Sequence, residues 1–308
     1  MTHAVAIVPA FNRADTVGAT VTALATVPDV LDVIVVDDGS RDRTAAAAAA
    51  AGARVVELAR NRGKGAAITA GIAASGAPDA YLLIDADLGD SAALAGDLLQ
   101  PVALGTADMT IAVLGSTERG GGFGFVKGFA ARVLRSETGM FFAEPLSGQR
   151  AVRGPLLRSL HLAPGFGLEI GLTLDAANRG ASISEVEVGF THRLTGRDFS
   201  GFAHRARIGR HVYLAALPRV GSLKLNYYLI ASVLGRVRLP SRPASPQQRR
   251  RAIEVLQAKR WWQRPWSRLG AASLRRVRSF VDSGPLQRMW SRWCRRLHLP
   301  LQSWRQPR

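Results

Sequence analysis

Leu82-Leu83-Ile84-Asp85-Ala86-Asp87-Leu88 decides how the chain is read, because an apolar run stops there in two carboxylates spaced i, i+2. Side chains alternate along a strand, so Asp85 and Asp87 are expected on one face with Cα atoms about 6–7 Å apart. Two bare carboxylates at that distance repel. A hard divalent cation removes the repulsion, since Mg²⁺ and Mn²⁺ take oxygen from one or two carboxylates together with substrate phosphates. A D-x-D alone also fits a solvated strand end, so the surrounding pattern has to carry the reading.

Upstream, three more apolar runs end in polar turns. Residues 4–8 lead into Pro9-Ala10-Phe11-Asn12, Val33–Val36 into Asp37-Asp38-Gly39-Ser40, and Val55–Leu58 into Asn61-Arg62-Gly63-Lys64-Gly65. Between them, Val17, Val21, Leu24 and Val27 recur at helical spacing, Ala45–Ala51 is an alanine run, and Ile68 and Ile72 continue a third helical pattern. Strands alternating with helices predict βαβ units and a parallel sheet. Ligands of such sheets bind beyond the carboxyl ends of the strands, and Asn12, Asp37, Asp38, Asp85 and Asp87 all fall there. That coincidence predicts a nucleotide site. It is not a Walker loop, because no Ser or Thr follows Lys64 at the required place, and the first strand carries no G-x-G-x-x-G.

Downstream, residues 108–114 read as a fifth strand. Gly115–Gly124 holds five glycines with Glu118 and Arg119, a loop suited to closing over substrate. Phe125–Arg135 reads as a helix, 145–152 as loop and strand, and Gly165–Ile170 as the opening of another helix in which Glu169 sits among Phe166, Leu168 and Ile170. Ile183–Val188 reads as a strand, followed by a polar loop over 191–198.

At this point the residues add up to a resemblance. Pro9-Ala10-Phe11-Asn12, Val36-Asp37-Asp38-Gly39-Ser40, Asn61-Arg62-Gly63-Lys64-Gly65 and Asp85-Ala86-Asp87 resemble, in order and spacing, the family-2 glycosyltransferases of GT-A fold, over about residues 1–215. The resemblance implies an α/β GT-A domain and a nucleotide-sugar donor (a UDP-, GDP- or dTDP-sugar). It implies donor contacts from Pro9, Ala10, Asn12, Asp37, Asp38, Lys64 and Asp85, and Mg²⁺ or Mn²⁺ on Asp85 and Asp87. The second half is similar to two relatives, the polyprenyl-phosphate sugar synthases and glucosyl-3-phosphoglycerate synthase. The latter matches in Pro145-Leu146-Ser147-Gly148-Gln149, Ala163–Leu172 and His192-Arg193. That likeness implies His192 as a third metal ligand, Glu169 beside the reacting sugar, and Lys127, Arg193 and Arg197 at the acceptor. Polyprenyl-phosphate enzymes carry Gln where this chain has Gly89. Phosphoglycerate enzymes follow their glycine loop with Arg-Val-Thr, where this chain has Phe123-Gly124-Phe125-Val126-Lys127.

The chain has 308 residues, is 47% hydrophobic and carries a net charge of +18. Its single cysteine, Cys294, excludes a disulfide framework and points to a reducing compartment. Neither a secretory signal nor an 18-residue apolar span is read from the sequence. The charge is concentrated: residues 241–308 hold 17 Lys and Arg against two acids, a net +15, and all six tryptophans. Three regions are therefore expected: a GT-A domain over 1–215, a connecting helical segment over 216–240, and a basic amphipathic helical tail over 241–308. On a wheel of 100° per residue, Leu286, Met289, Trp290, Trp293 and Leu297 gather on one side and Arg288, Arg292 and Arg295 on the other. Interfacial helices have this composition. The expectation is a cytoplasmic enzyme held at the inner face of the cell membrane and acting on a lipid-linked acceptor, a polyprenyl phosphate or other envelope glycolipid. Transfer to a small phosphorylated acceptor is the alternative. A nucleotidyltransferase lacks its glycine-rich loop after the first strand, and a nucleic-acid binder would place acids poorly at every strand end.

Overall fold

The computed structural model describes residues 2–114, 124–191 and 199–233. Its centre is a seven-stranded sheet in the order β3-β2-β1-β4-β6-β5-β7. The strands are β1 (Ala4–Ala10), β2 (Val30–Asp37), β3 (Arg54–Glu57), β4 (Ala80–Leu83), β5 (Met109–Leu114), β6 (Arg150–Arg153) and β7 (Ile183–Val188). All neighbours pair in parallel except β6, which runs antiparallel to both β4 and β5.

Helices cover both faces: α1 (Val17–Leu24), α2 (Thr44–Ala50), α3 (Lys64–Ala74), α4 (Gly96–Ala103), α5 (Gly124–Thr138), α6 (Gly154–Ser159), α7 (Leu168–Asn178), α8 (Phe199–Val220) and α9 (Ser222–Val233). Two-sided burial explains why β1 reads as an unbroken apolar run rather than an alternating one. Val5, Ile7, Ile34, Val36, Tyr81 and Leu83 point into one core, shared with Ile68 of α3, Phe129 of α5 and Ile170 of α7. Ala6, Val8, Val33, Val35 and Leu82 point into the other, shared with Val21 and Leu24 of α1 and Leu98 of α4. Helix α8 runs through residue 215, where the sequence placed a boundary. No helix among the described residues is long and apolar enough to cross a membrane.

Strand register sets the level at which the site forms. Ala10 pairs with Asp37 and Asp37 with Glu57, so β1, β2 and β3 end together. Strand β4 stops lower, where Leu83 faces Ile7, and the chain then follows the end of β1, with the Ile84 amide donating to the Ile7 carbonyl at 3.1 Å. Asp85 and Asp87 therefore lie beyond the strand, in the turn that enters a 3₁₀ segment at Gly89–Ala95, and not at alternate positions of the strand itself. Buried Thr20 of α1 holds this turn. Its hydroxyl donates to the Ala86 carbonyl at 3.2 Å and accepts from the Gly89 amide at 2.9 Å. Gly89 has φ +52°, a conformation that favours glycine.

Candidate active site

The donor-side residues expected from sequence converge on the carboxyl ends of β1 and β2. Asn12, at φ +53°, accepts the Arg41 amide on its side-chain oxygen at 2.8 Å, and its own amide donates to Ser40 Oγ at 2.9 Å. This couples the Pro9–Asn12 turn to the Asp37–Ser40 turn. Asp37 and Asp38 are each only 4% exposed. Asp37 accepts the Ser40 amide at 2.9 Å. Asp38 accepts the amides of Arg62 and Gly63, one on each oxygen and both at 2.7 Å. Its carboxylate thereby satisfies N–H groups around the start of α3 that the helix leaves without partners. Gly39 is required here: at φ +73°, a Cβ would stand 2.6 Å from the Arg60 backbone.

Held in this way, the turn delivers Lys64 to the interior. Lys64 Nζ lies 2.6 Å from Asp85 Oδ1 and 3.2 Å from Glu169 Oε1, and its side chain is 17% exposed. Burial alone would lower the lysine pKa. The two carboxylates more than offset it, and the net shift is upward. Asp85 also accepts Gln149 Nε2 on its other oxygen at 2.8 Å. Gly148 packs against this cluster so closely that a Cβ would run into Lys64 Nζ and stand 2.9 Å from Asp85 Oδ2.

Glu169 lies in the first turn of α7 and is 6% exposed. The chain enters α7 through Gly165–Gly167, squeezed under α8: a Cβ on Gly165 would stand 2.6 Å from His211 Nδ1, and one on Gly167 2.7 Å from the His211 carbonyl oxygen. Ala163 abuts Gly65, which seats the start of α3 against the start of α7 and brings Lys64 to Glu169.

Asp87, with a side chain 25% exposed, lies 3.8 Å from Arg13 Nε. Lys127, on α5, pairs with Glu144 at 2.5 Å and is 39% exposed. The amides of Ala143 and Glu144 donate to the two oxygens of Glu185 at 3.0 and 2.9 Å. The expected ligand His192, the expected acceptor contacts Arg193 and Arg197, the glycine loop over 115–123 and the basic tail lie outside the described residues. Among the described residues, no three His, Cys, Asp or Glu side chains come together as a metal site. Asp85 and Asp87 are two hard oxygen donors beside one turn, a donor set that suits Mg²⁺ or Mn²⁺ once substrate phosphates complete the shell.

Sequence reasoning gave no role to Gln149, Arg150 or Ser147, and did not foresee that Asp38, expected at the donor, also clamps the Arg62-Gly63 turn. The short polar run between Pro145 and Arg150 was the available signal, but its partners lie tens of residues away.

Glycosyl transferase family 2 matches residues 5–144 of this chain. The glucosyl-3-phosphoglycerate synthase of Mycobacterium tuberculosis (strain ATCC 25618 / H37Rv) is 32% identical over 247 residues, which are 70% of this chain and 74% of the relative. The synthase of Mycolicibacterium paratuberculosis is 33% identical over 209 residues, and there the match spans 63% of the relative's length and 59% of this chain. A dolichyl-phosphate hexose transferase of Haloferax volcanii is 26% identical over 67% of this chain and 91% of its own length. Among solved structures, the M. tuberculosis synthase with Mg²⁺ and UDP superposes with a TM-score of 0.61 at 29% identity, covering 71% of this chain and 79% of that one. The same synthase with Mn²⁺, UDP-glucose and phosphoglyceric acid gives 0.60 at 30% identity, with the same coverage.

Proposed function

The chain belongs to glycosyl transferase family 2, and from that premise we propose that it moves glucose from UDP-glucose to the hydroxyl of a small phosphorylated acid of the phosphoglycerate class. The observation that carries this reading is the 32% identity to glucosyl-3-phosphoglycerate synthase across 247 residues, a span that is 74% of that enzyme. It displaces the lipid-linked acceptor that the sequence ranked first, because the polyprenyl-type relative matches at only 26%. The residues support the same division of labour. Asn12, Asp37 and the turn held by Asp38 form the nucleotide side, Asp85 and Asp87 face the diphosphate, and Lys64 with Glu169 lies where the transferred sugar would be held. Mg²⁺ or Mn²⁺, carried by Asp87 and Asp85, would stabilise the charge developing on the departing UDP. Lys64 stays protonated beside its two carboxylates, and beyond the N–H groups they accept it keeps one for a sugar hydroxyl. Glu169, shielded from solvent, is placed to act on the reacting centre, and Lys127 remains the acceptor-side cation. The basic tail is proposed to hold the enzyme at an anionic surface, independently of the acceptor.

UDP release from UDP-glucose decides between acceptors. Phosphoglycerate should stimulate release strongly, and EDTA should abolish it. Stimulation by a polyprenyl phosphate and none by phosphoglycerate would replace this reading with the lipid-linked one, which the 91% coverage of the Haloferax enzyme keeps specific.

A further inference from the structure

Among the described residues, Arg150 is one of the largest side chains almost wholly removed from solvent, at 1% exposure. It lies on β6, opposite Leu83 of β4 on one side and Ile111 of β5 on the other. A guanidinium buried between apolar strands costs free energy, so its hydrogen bonds have to be well made. They are made to two pieces of the site. Nε donates to the Ser147 carbonyl at 2.9 Å and a terminal nitrogen to the Pro145 carbonyl at 3.4 Å. The other terminal nitrogen donates to Thr173 Oγ1 at 2.8 Å, and that hydroxyl donates to the Glu169 carbonyl, also at 2.8 Å. One planar fork thus ties the 145–149 loop to the first turn of α7.

What that loop and that turn carry gives the contact its meaning. The loop presents Gln149 to Asp85 and lays Gly148 against Lys64. The turn presents Glu169 to Lys64. The far end of the loop is gripped in the complementary sense, by the Glu185 carboxylate on the amides of Ala143 and Glu144. Burial pulls the Arg150 pKa down to about 10, against the opposing pull of Glu169 and Glu185, so the group is still a cation at neutral pH.

We propose that Arg150 is a positioning residue that sets Asp85 and Glu169 at their separation around Lys64, through the 145–149 loop on one side and Thr173 on the other. Its catalytic arm rests on the function proposed above, and its structural arm does not. A lysine at 150 keeps the charge but cannot span three acceptors. A valine at 173 removes the α7 link and leaves Arg150 in place.

The test uses the full chain carrying Arg150→Lys, Thr173→Val, Thr173→Ser, Gln149→Met, and Arg150→Lys with Gln149→Met. Hydrogen exchange in Arg150→Lys and Thr173→Val should quicken about tenfold or more at residues 145–149 and at the start of α7, while β1 and β2 keep their protection. For UDP-glucose with phosphoglycerate, kcat should fall about 10²-fold, the scale of a small misplacement, with KM for the donor within a few-fold. Thr173→Ser should restore both readouts. The double variant should lose little more than Arg150→Lys alone, because both changes break one path to Asp85. Exchange that is unchanged or quickens across the whole sheet, or multiplicative losses in the double variant, would overturn the proposal. If Arg150→Lys fails to fold, Thr173→Val and Thr173→Ser still decide it. If the wild-type chain does not turn over UDP-glucose, the functional reading fails, and exchange alone decides the role of Arg150.

Discussion

Lys64 bridges two carboxylates whose charges, left to themselves, would repel across a site that excludes most water. Its raised pKa means that the stability it contributes is complete below the unfolded lysine value of about 10.4 and is lost only as pH rises through the higher folded value. Within the neutral range Lys64 therefore keeps its charge. Glu169→Gln preserves shape and removes one charge from the cluster. Turnover should fall by about 10²-fold or more, the scale of lost acid–base or charge stabilisation, and the melting temperature should also fall, because buried Lys64 loses one of its two carboxylate partners. A loss within about threefold would make Glu169 structural, set against the 10²–10⁴-fold typical of such groups. Asp87→Ala should abolish metal-dependent transfer with the fold intact, since Asp87 stands in a partly exposed turn; full activity in that variant would remove it from the metal. The triad itself was not legible in the sequence. Lys64 precedes Asp85 by 21 residues and Glu169 by 105, and no periodicity spans such separations. The Gly63-Lys64-Gly65 turn by itself shows only that it is not a Walker loop.

Elements carry the next level of constraint. The turn after β4 and the loop before β6 meet at Asp85, and Gly148 is the point of closest approach. Gly148→Ala would push against Lys64 and Asp85, both held by ion pairing, so the added methyl cannot be absorbed by a free side chain. Activity should drop by roughly 10²-fold, the scale of an ångström-sized misplacement, while circular dichroism keeps its wild-type shape and melting falls, because Leu146 packs the loop against one core and Gly148 has no room for a Cβ. Near-normal activity would mean that the loop can shift away and does not set the site. The βαβ order was legible because β1 and β2 are buried on both faces and read as apolar runs. The antiparallel direction of β6 was not: Arg150–Arg153 is four residues long, and its pattern is the same in either direction. Its reversal explains why Arg150, at the start of the strand, lies beside the carboxyl end of β4. The turn at Asp85 and Asp87 was misread as strand because the apolar run continues through Ile84, one residue past β4. Ile84 is buried by following β1, not by pairing on in the sheet.

At the scale of the whole molecule, charge is the least evenly distributed property. The net +15 of residues 241–308 lies far from neutral while the remaining chain carries +3. Such an imbalance says little about fold and much about what surface the protein meets. The sequence pattern that puts Trp290 and Trp293 with Leu286, Met289 and Leu297, opposite Arg288, Arg292 and Arg295, matches an interfacial helix better than a row of stacking platforms for single-stranded nucleic acid. Each basic residue near an anionic surface contributes about 1 kcal/mol, so under the proposed reading a partly engaged tail would be enough to hold the enzyme there. A phosphoglycerate-class acceptor is soluble and does not require that location, and the two readings are therefore separable. Full-length protein should float with liposomes containing anionic lipid at low salt and be released as salt screens the charges. A chain ending after Pro240 should remain at the bottom of the gradient and transfer glucose to a soluble acceptor at an undiminished rate. Equal flotation of both chains, or none of either, would discard the membrane reading. Loss of transfer to a soluble acceptor on truncation would instead mean that the tail serves the active site, directly or through the fold.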